Sequence, residues 1–235
     1  MPYSSDGPAC SANHLLRGVE ADSFRAIRDH LQTLELPFGR VIYEPEETIP
    51  FVYFPHNAVI SLLSVLSNGK TVEMTTVGCE GIVGFVDSLG NCQSIARYVV
   101  QVAGTVSRLP IKCLQQEIEI NDSFRKLLFG YIKALLAQTF QAGVCNAAHS
   151  VEARCCRLML TMRDRVGQDE LPLTHEFLAE MLGVQRPAVS IVARHLQQAR
   201  LIKQGRGVIT ITDGAGLEGM VCECYNMIRR NYEQL

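Results

Sequence analysis

Nowhere in the 235 residues is there an uninterrupted apolar run of roughly 18 residues, the length a helix needs to cross a bilayer. The stretch Met1–Ala12 has neither a basic n-region nor an apolar h-region and reads as a loose tail. A cytoplasmic protein without membrane contact is expected. Also missing is a phosphate-cradling glycine-rich loop followed by Lys and Ser or Thr. No coherent set of acid–base or nucleophilic residues stands out, so an enzyme is not expected. The nine cysteines are an odd number in a chain with no visible export signal, which favours reduced thiols over a disulfide framework. Their spacing suggests no metal site: in pairs such as Cys155-Cys156 or Cys222-x-Cys224, helical neighbours one or two apart diverge around the axis. The histidines, His14, His30, His56, His149, His175 and His195, are scattered, and neither haem, zinc nor another cofactor is expected.

What is present suits a globular chain. Apolar residues make up 47% and charged residues 20%, enough to bury a core and unlike a disordered polymer, and the length favours two compact units over one. The net charge of −2 argues against a polycation that coats nucleic acid generally. The distribution matters more than the sum. Between Gly183 and Thr212 the charged residues are Arg186, Arg194, Arg200, Lys203 and Arg206, with no Asp or Glu among them. A local positive surface results, and phosphate is its natural partner.

From Leu34 to about Leu109, glycines punctuate short runs rich in Val, Ile, Thr and Tyr, the pattern of many short strands in an antiparallel roll or barrel. Asn68-Gly69 suggests a two-residue type I′ hairpin joining Val59–Leu66 to Thr71–Val77. In the second strand Val72, Met74 and Thr76 alternate with Glu73, Thr75 and Val77, and Tyr98, Val100 and Val102 repeat the period later. After Pro110 the period becomes helical. Asn121 or Asp122 can cap a helix whose stripe is Phe124, Leu127, Leu128, Tyr131, Leu135 and Thr139, about 37 Å long if it reaches Cys145. That stripe can cover the chain's own β domain or pair with the same helix of a second subunit; pairing is the favoured expectation. Ser150 caps a further helix with Val151, Cys155, Leu158, Met159, Met162 and Val166 at helical spacing and Gly167 at its end, followed by a polar loop over Gln168–Leu171.

The segment that follows carries the functional reading. Thr174 is a good N-cap and Glu176 sits in the first turn, where a carboxylate meets the positive end of the helix dipole. Phe177, Leu178, Met181 and Leu182 give a buried face, and Gly183 permits a sharp turn with positive φ. Pro187 is tolerated only in a first helical turn, so a second helix must begin near Arg186. In it Val189, Val192 and Leu196 point inward, leaving Gln185, Arg186, Ala188, Ser190 and Arg194 outward or at the N-terminus. A helix with a small apolar back and a front of hydrogen-bond donors is what major-groove recognition requires. Leu201–Thr212 then reads as two short strands around Gly205-Arg206-Gly207, a wing carrying Lys203 and Arg206 towards a DNA backbone. Past Asp213, Leu217, Val221, Tyr225 and Ile228 predict one more amphipathic helix.

Helix, tight turn, helix and basic hairpin in this order resemble the winged helix-turn-helix of the Crp/Fnr superfamily of bacterial regulators, over about Ser150–Thr212. The resemblance implies an α+β chain: a cyclic-nucleotide-binding-like jelly roll over residues 14–118, a long dimerisation helix over 119–148, and a winged helix-turn-helix with a C-terminal helical extension over 149–235. It implies a homodimer on palindromic double-stranded DNA, with RNA polymerase as a protein partner. The DNA-facing set is then Thr174, Gln185, Arg186, Ala188, Ser190, Arg194, Lys203 and Arg206. The family's usual recognition helix starts Arg-Glu and has a second Arg four positions after the Glu; here Arg186 is kept, but Pro187 and Ile191 replace the others. Arg186 remains suited to guanine O6/N7, and the operator is expected to differ.

Cyclic-nucleotide-binding members have a Gly-Glu-Leu stretch whose Glu holds the ribose, and an Arg-Ser/Thr-Ala stretch whose Arg holds the phosphate. The corresponding positions here are Gly84-Phe85-Val86 and Gln93-Ser94-Ile95-Ala96-Arg97. Gly84, Phe85, Ser94 and Arg97 would line an effector pocket whose ligand is unknown and not expected to be a cyclic nucleotide, because the bidentate phosphate partner is missing. The iron–sulfur members carry an N-terminal cysteine cluster, whereas only Cys10 lies in that region. A different class remains open: a ligand-binding or interaction module whose C-terminal helices serve assembly alone.

Overall fold

The computed structural model describes residues 13–69 and 71–235; the Met1–Ala12 tail, with Cys10, lies outside the described residues. The chain divides into two compact units, the first built mainly from residues up to Val65 and Thr75–Lys133, the second mainly from Ala134–Gln234. Among the described residues no helix is long and apolar enough to cross a membrane.

The first unit opens with two short helices, α1 (His14–Arg17) and α2 (Ala21–Arg28), and continues into strands β1 (Gln32–Leu36), β2 (Val41–Tyr43), β3 (Phe51–Pro55), β4 (Val59–Val65) and β5 (Thr71–Val77). A short helix α3 (Phe85–Ser88) precedes β6 (Arg97–Val102), β7 (Gly104–Pro110) and helix α4 (Ile111–Ile120). The strands form two sheets, β1-β7-β3 and β2-β6-β4-β5, antiparallel where β7 pairs with β1 and β3 and where β6 pairs with β2 and β4. This is the expected antiparallel roll. Phe54, Ile60, Tyr98 and Leu109, drawn from both sheets, are fully buried. The Tyr43 ring meets Tyr53 and Tyr98 edge-on at 6.0 and 6.1 Å, a geometry that aromatic quadrupoles favour.

One expectation for the roll is corrected. At Asn68-Gly69 only Gly69 takes positive φ, +79°, and its N–H donates to the Leu66 carbonyl at 2.9 Å. The connection is therefore not type I′, which requires positive φ at both residues; with a longer loop a left-handed glycine can follow an ordinary turn. In β5, Val72 and Met74 are exposed while Glu73 and Thr75 are half-buried. Alternation fixes which residues share a face but not which face turns inward, and β5 is an edge strand. The β6 residues Tyr98, Val100 and Val102 are buried as their period predicts.

Helix α5 (Asp122–Ala148) has 27 residues, about 40 Å. The Asn121 carboxamide oxygen caps it, accepting from Ser123 and Phe124 N–H at 3.1 Å each. Phe124, Leu128, Tyr131 and Leu135 are buried within the chain, and Tyr131 donates to the Ile82 carbonyl at 3.0 Å. The stripe assigned to subunit pairing thus covers the chain's own core. A second apolar line, Phe129, Leu136, Phe140 and Val144, is exposed. One helix carries two hydrophobic faces, and periodicity alone did not separate them.

The second unit follows α5 with α6 (Val151–Val166), β8 (Glu170–Leu171), α7 (His175–Leu182), α8 (Arg186–Gln198), β9 (Ile202–Gly205), β10 (Val208–Ile211), α9 (Gly214–Met220) and α10 (Cys224–Glu233). Ser150 caps α6 by accepting from Ala153 N–H, and Gly167 ends it at φ +70°. The expected polar loop after it contains a third strand: β8 pairs with β10, Leu171 opposite Ile209. Two residues are too few to show a period, but Leu171 is fully buried. The single C-terminal helix is in fact two, because Val221 is extended (φ −79°, ψ 151°) and separates α9 from α10.

Candidate nucleic-acid interface

The local sequence places the two helices as their caps demand. The Thr174 hydroxyl accepts from Phe177 N–H at 3.1 Å, starting α7, and Gly183 at φ +63° ends it. Helix α8 starts at Arg186 with Pro187 in its first turn. Val189, Val192, Ala193 and Leu196 are buried, so the apolar back of α8 is packed. Behind the pair, the buried Arg154 on α6 donates to the Leu182 carbonyl at the C-terminal end of α7. A guanidinium there suits the negative end of the helix dipole and ties the first helix of the motif to the unit's central helix.

The wing is held equally firmly. β9 and β10 pair antiparallel with Thr210 opposite Lys203, and Gly207 at φ +75° turns the tip beside Arg206. Gln204 joins wing to helix: its N–H donates to the Gln197 side chain at 3.0 Å and its carboxamide donates to the Ala193 carbonyl at 3.1 Å. A shallow cleft runs between the N-terminal ends of α7 and α8 and the wing, lined by Thr174, His175, Glu176, Arg186, Gln204 and Gly207 among others.

On this frame Gln185, Arg186, Arg194, Lys203 and Arg206 are exposed, as is Thr174. Ala188 and Ser190 are half-buried. Ser190 donates to the Arg186 carbonyl at 3.1 Å and lies 3.0 Å from His175 Nδ1, so its hydroxyl is already engaged. Arg186 has a neighbour that sequence reading did not pair with it: its Nε lies 3.5 Å from Glu176 Oε2, both side chains being more than half exposed. An exposed pair of this kind contributes roughly 0–1 kcal/mol. It orients the guanidinium without burying it.

The residues singled out as effector-lining lie in the first unit, where Phe85 and Ser94 are buried and Arg97 is partly exposed. Gly84 takes φ +83° and starts α3, whose Phe85 is a fully buried core residue. Ser94 is buried and donates to the Ala96 carbonyl at 2.6 Å. Asp87, also buried, accepts from Ile95 N–H at 2.8 Å and from the Tyr98 hydroxyl. Burial, and then the Asp87 charge, push the Tyr98 phenol far above its ordinary range, so it remains a donor. Arg97 pairs with Glu44 at 2.7 Å.

A winged helix-turn-helix with an outward basic front is thus in place. Residues 153–220 match the family described as the Crp-like helix-turn-helix domain. Among curated proteins, the chain is 22% identical over 201 residues to the HTH-type transcriptional regulator Cmr of Mycobacterium tuberculosis, covering 85% of this chain and 80% of that protein. Among solved structures, FixK2 from Bradyrhizobium japonicum superposes with a TM-score of 0.71 at 14% identity, covering 82% of this chain and 98% of the other. A Crp/Fnr-family transcriptional regulator from Eubacterium rectale gives 0.67 at 16% identity, covering 89% and 98%. The fold is that of Crp/Fnr regulators, and residues 153–220 form a Crp-like helix-turn-helix domain.

Proposed function

We propose that the protein acts in the cytoplasm as a homodimer that binds palindromic double-stranded DNA sequence-specifically. The observation that carries this reading is the two-sidedness of α8: Val189, Val192, Ala193 and Leu196 are buried, while Gln185, Arg186 and Arg194 are exposed. Arg186 reads guanine, Gln185, Ala188 and Ser190 add weaker base contacts, and Thr174, Arg194, Lys203 and Arg206 face the backbone. The exposed line Phe129, Leu136, Phe140 and Val144 supports pairing of α5 with its symmetry mate. Two recognition helices about 34–36 Å apart would then meet successive major grooves. RNA polymerase enters as a partner on the family resemblance alone.

The effector, if the roll takes one, is not a cyclic nucleotide. Phe85 occupies core space where the ribose-binding Glu is expected, and Arg97 is paired with Glu44. Titration calorimetry with cyclic AMP and cyclic GMP should show no micromolar binding.

Sequencing of genomic fragments retained by the protein tests the main reading. A palindrome should emerge, and affinity for it should fall roughly 10³-fold or more between 50 and 200 mM salt, the response to release of several counterions. Salt-insensitive binding, or fragments with no shared sequence, would overturn it. Sedimentation with Phe140→Glu should show monomers where the native chain gives dimers.

A further inference from the structure

The break at Val221 has a chemical result. Cys222 lies between the extended Val221 and α10, and Cys224 begins α10, so the two thiols are freed from the divergence that one continuous helix would impose. Cys145 lies in the last turn of α5, and His149 follows four residues later in the link before the Ser150 cap. The His149 N–H still donates to the Cys145 carbonyl at 3.1 Å, so that link keeps helical spacing and both side chains share a face. The Sγ atoms of Cys145 and Cys222 are 3.5 Å apart, and Cys224 Sγ is 3.5 Å from His149 Nδ1. Across all four residues the ligand atoms lie within 4.8 Å of one another.

We propose that Cys145, His149, Cys222 and Cys224 form a closed four-ligand site for one zinc-class divalent cation, which fastens the α5–α6 joint to the C-terminal segment. A tetrahedral ion with sulfur arms of about 2.3 Å separates its ligand atoms by about 3.8 Å, close to the spacings present. A polynuclear cluster, whose ligands bind different metal atoms, spreads its sulfurs further. Three thiolates and one imidazole are a borderline-soft donor set that selects zinc over magnesium or calcium.

The surroundings complete the coordination chemistry. His149 Nε2 lies 3.3 Å from Glu223 Oε2, so Nδ1 is left for the metal while the other ring nitrogen donates to a carboxylate. The Gln141 carboxamide donates to Cys224 Sγ at 3.1 Å. Arg157 interacts with Cys145, and its guanidinium balances the net negative charge that three thiolates leave on a divalent ion. Cys145, Cys222 and Cys224 are buried and His149 half-buried, so no open coordination position faces solvent. The site therefore holds structure and does not perform hydrolysis.

The test uses the full chain, expressed with zinc supplementation and purified under reductant without oxygen. Elemental analysis should find one zinc per chain. After chelation, Co²⁺ should give the intense visible absorption of a tetrahedral ion with thiolate charge transfer, and zinc should displace it. Cys145→Ser and Cys224→Ser should each weaken zinc binding at least as much as loss of a supporting group does, roughly 10–100-fold, and Glu223→Gln should weaken it about 10-fold. His149→Cys, which keeps four ligands, should retain the ion, and Cys155→Ser should change nothing. Circular dichroism checks that each variant is folded. The proposal is overturned by a metal-free protein with a weak octahedral cobalt spectrum, by zinc content indifferent to Cys224→Ser and Glu223→Gln, or by a Cys145–Cys222 disulfide in the reduced preparation.

Discussion

In the roll, the polar groups around α3 are satisfied within the chain: the buried Asp87 by Ile95 and Tyr98, the buried Ser94 by Ala96, and the partly exposed Arg97 by Glu44. In the winged unit the reverse holds, and Gln185, Arg186, Arg194, Lys203 and Arg206 stand in solvent on a packed apolar support. The difference teaches where each region can meet an anion. A guanidinium already held by a carboxylate offers little to a cyclic phosphate, whereas exposed cations on a rigid surface are ready for a polyphosphate chain. Among the exposed cations Arg186 is the intermediate case, with Glu176 at its side.

Truncating the roll where its pocket would be should have the largest effect. Phe85→Ala is expected to lower unfolding free energy by about 3–5 kcal/mol in denaturant titration, the cost of deleting a fully buried aromatic ring. A loss under 1 kcal/mol would mean that Phe85 borders open space, and the contrast would fail. Next, Arg186→Ala should cost about 1–3 kcal/mol of operator affinity and relax preference at one base pair per half-site, measured by competition with substituted operators. Lys203→Ala should instead weaken all sequences alike. Thr174→Ala removes the α7 cap and should destabilise by about 1 kcal/mol in the same denaturant assay.

The mildest effect is one of acidity. In the roll, His56 is buried, its Nε2 bonded to the Ser107 hydroxyl at 2.9 Å and its Nδ1 without a partner. Burial lowers its pKa below the ordinary 6.5, and burial, reinforced by Arg17, lowers that of His14. The unfolded chain then binds more protons than the folded one, so stability is undiminished above pH 6.5 and falls as pH drops below it. Thermal melts of His56→Gln should show a shallower acid slope than the native chain.

The winged unit was legible in the sequence because its signals are local. Thr174, Gly183, Pro187 and Gly207 each act on their own turn, and the resulting helices and wing lie where those residues put them. The strands of the roll were legible for the same reason, through Tyr98, Val100 and Val102. What escaped depends on distant partners. The inward face of α5 is chosen by what packs on it, and Glu170–Leu171 becomes a strand because β10 is there to receive it. The Cys145, His149, Cys222 and Cys224 group joins residues up to 79 positions apart, across the break between α9 and α10 that an apolar spacing of three to four did not reveal. A spacing rule for neighbours on one helix could not see it. The helical register of Cys145 and His149, four residues apart, was the one hint available.

The Gln204 clasp sets a practical limit on how this surface can be altered. It fastens β9 to both Gln197 and Ala193, so α8 and the hairpin are tied to each other. The Arg206-Gly207 tip lies past the fastening and can be lengthened or recharged while the pose of α8 is kept. On the DNA-binding reading proposed above, changes at the tip are expected to alter affinity and changes at Arg186 sequence preference.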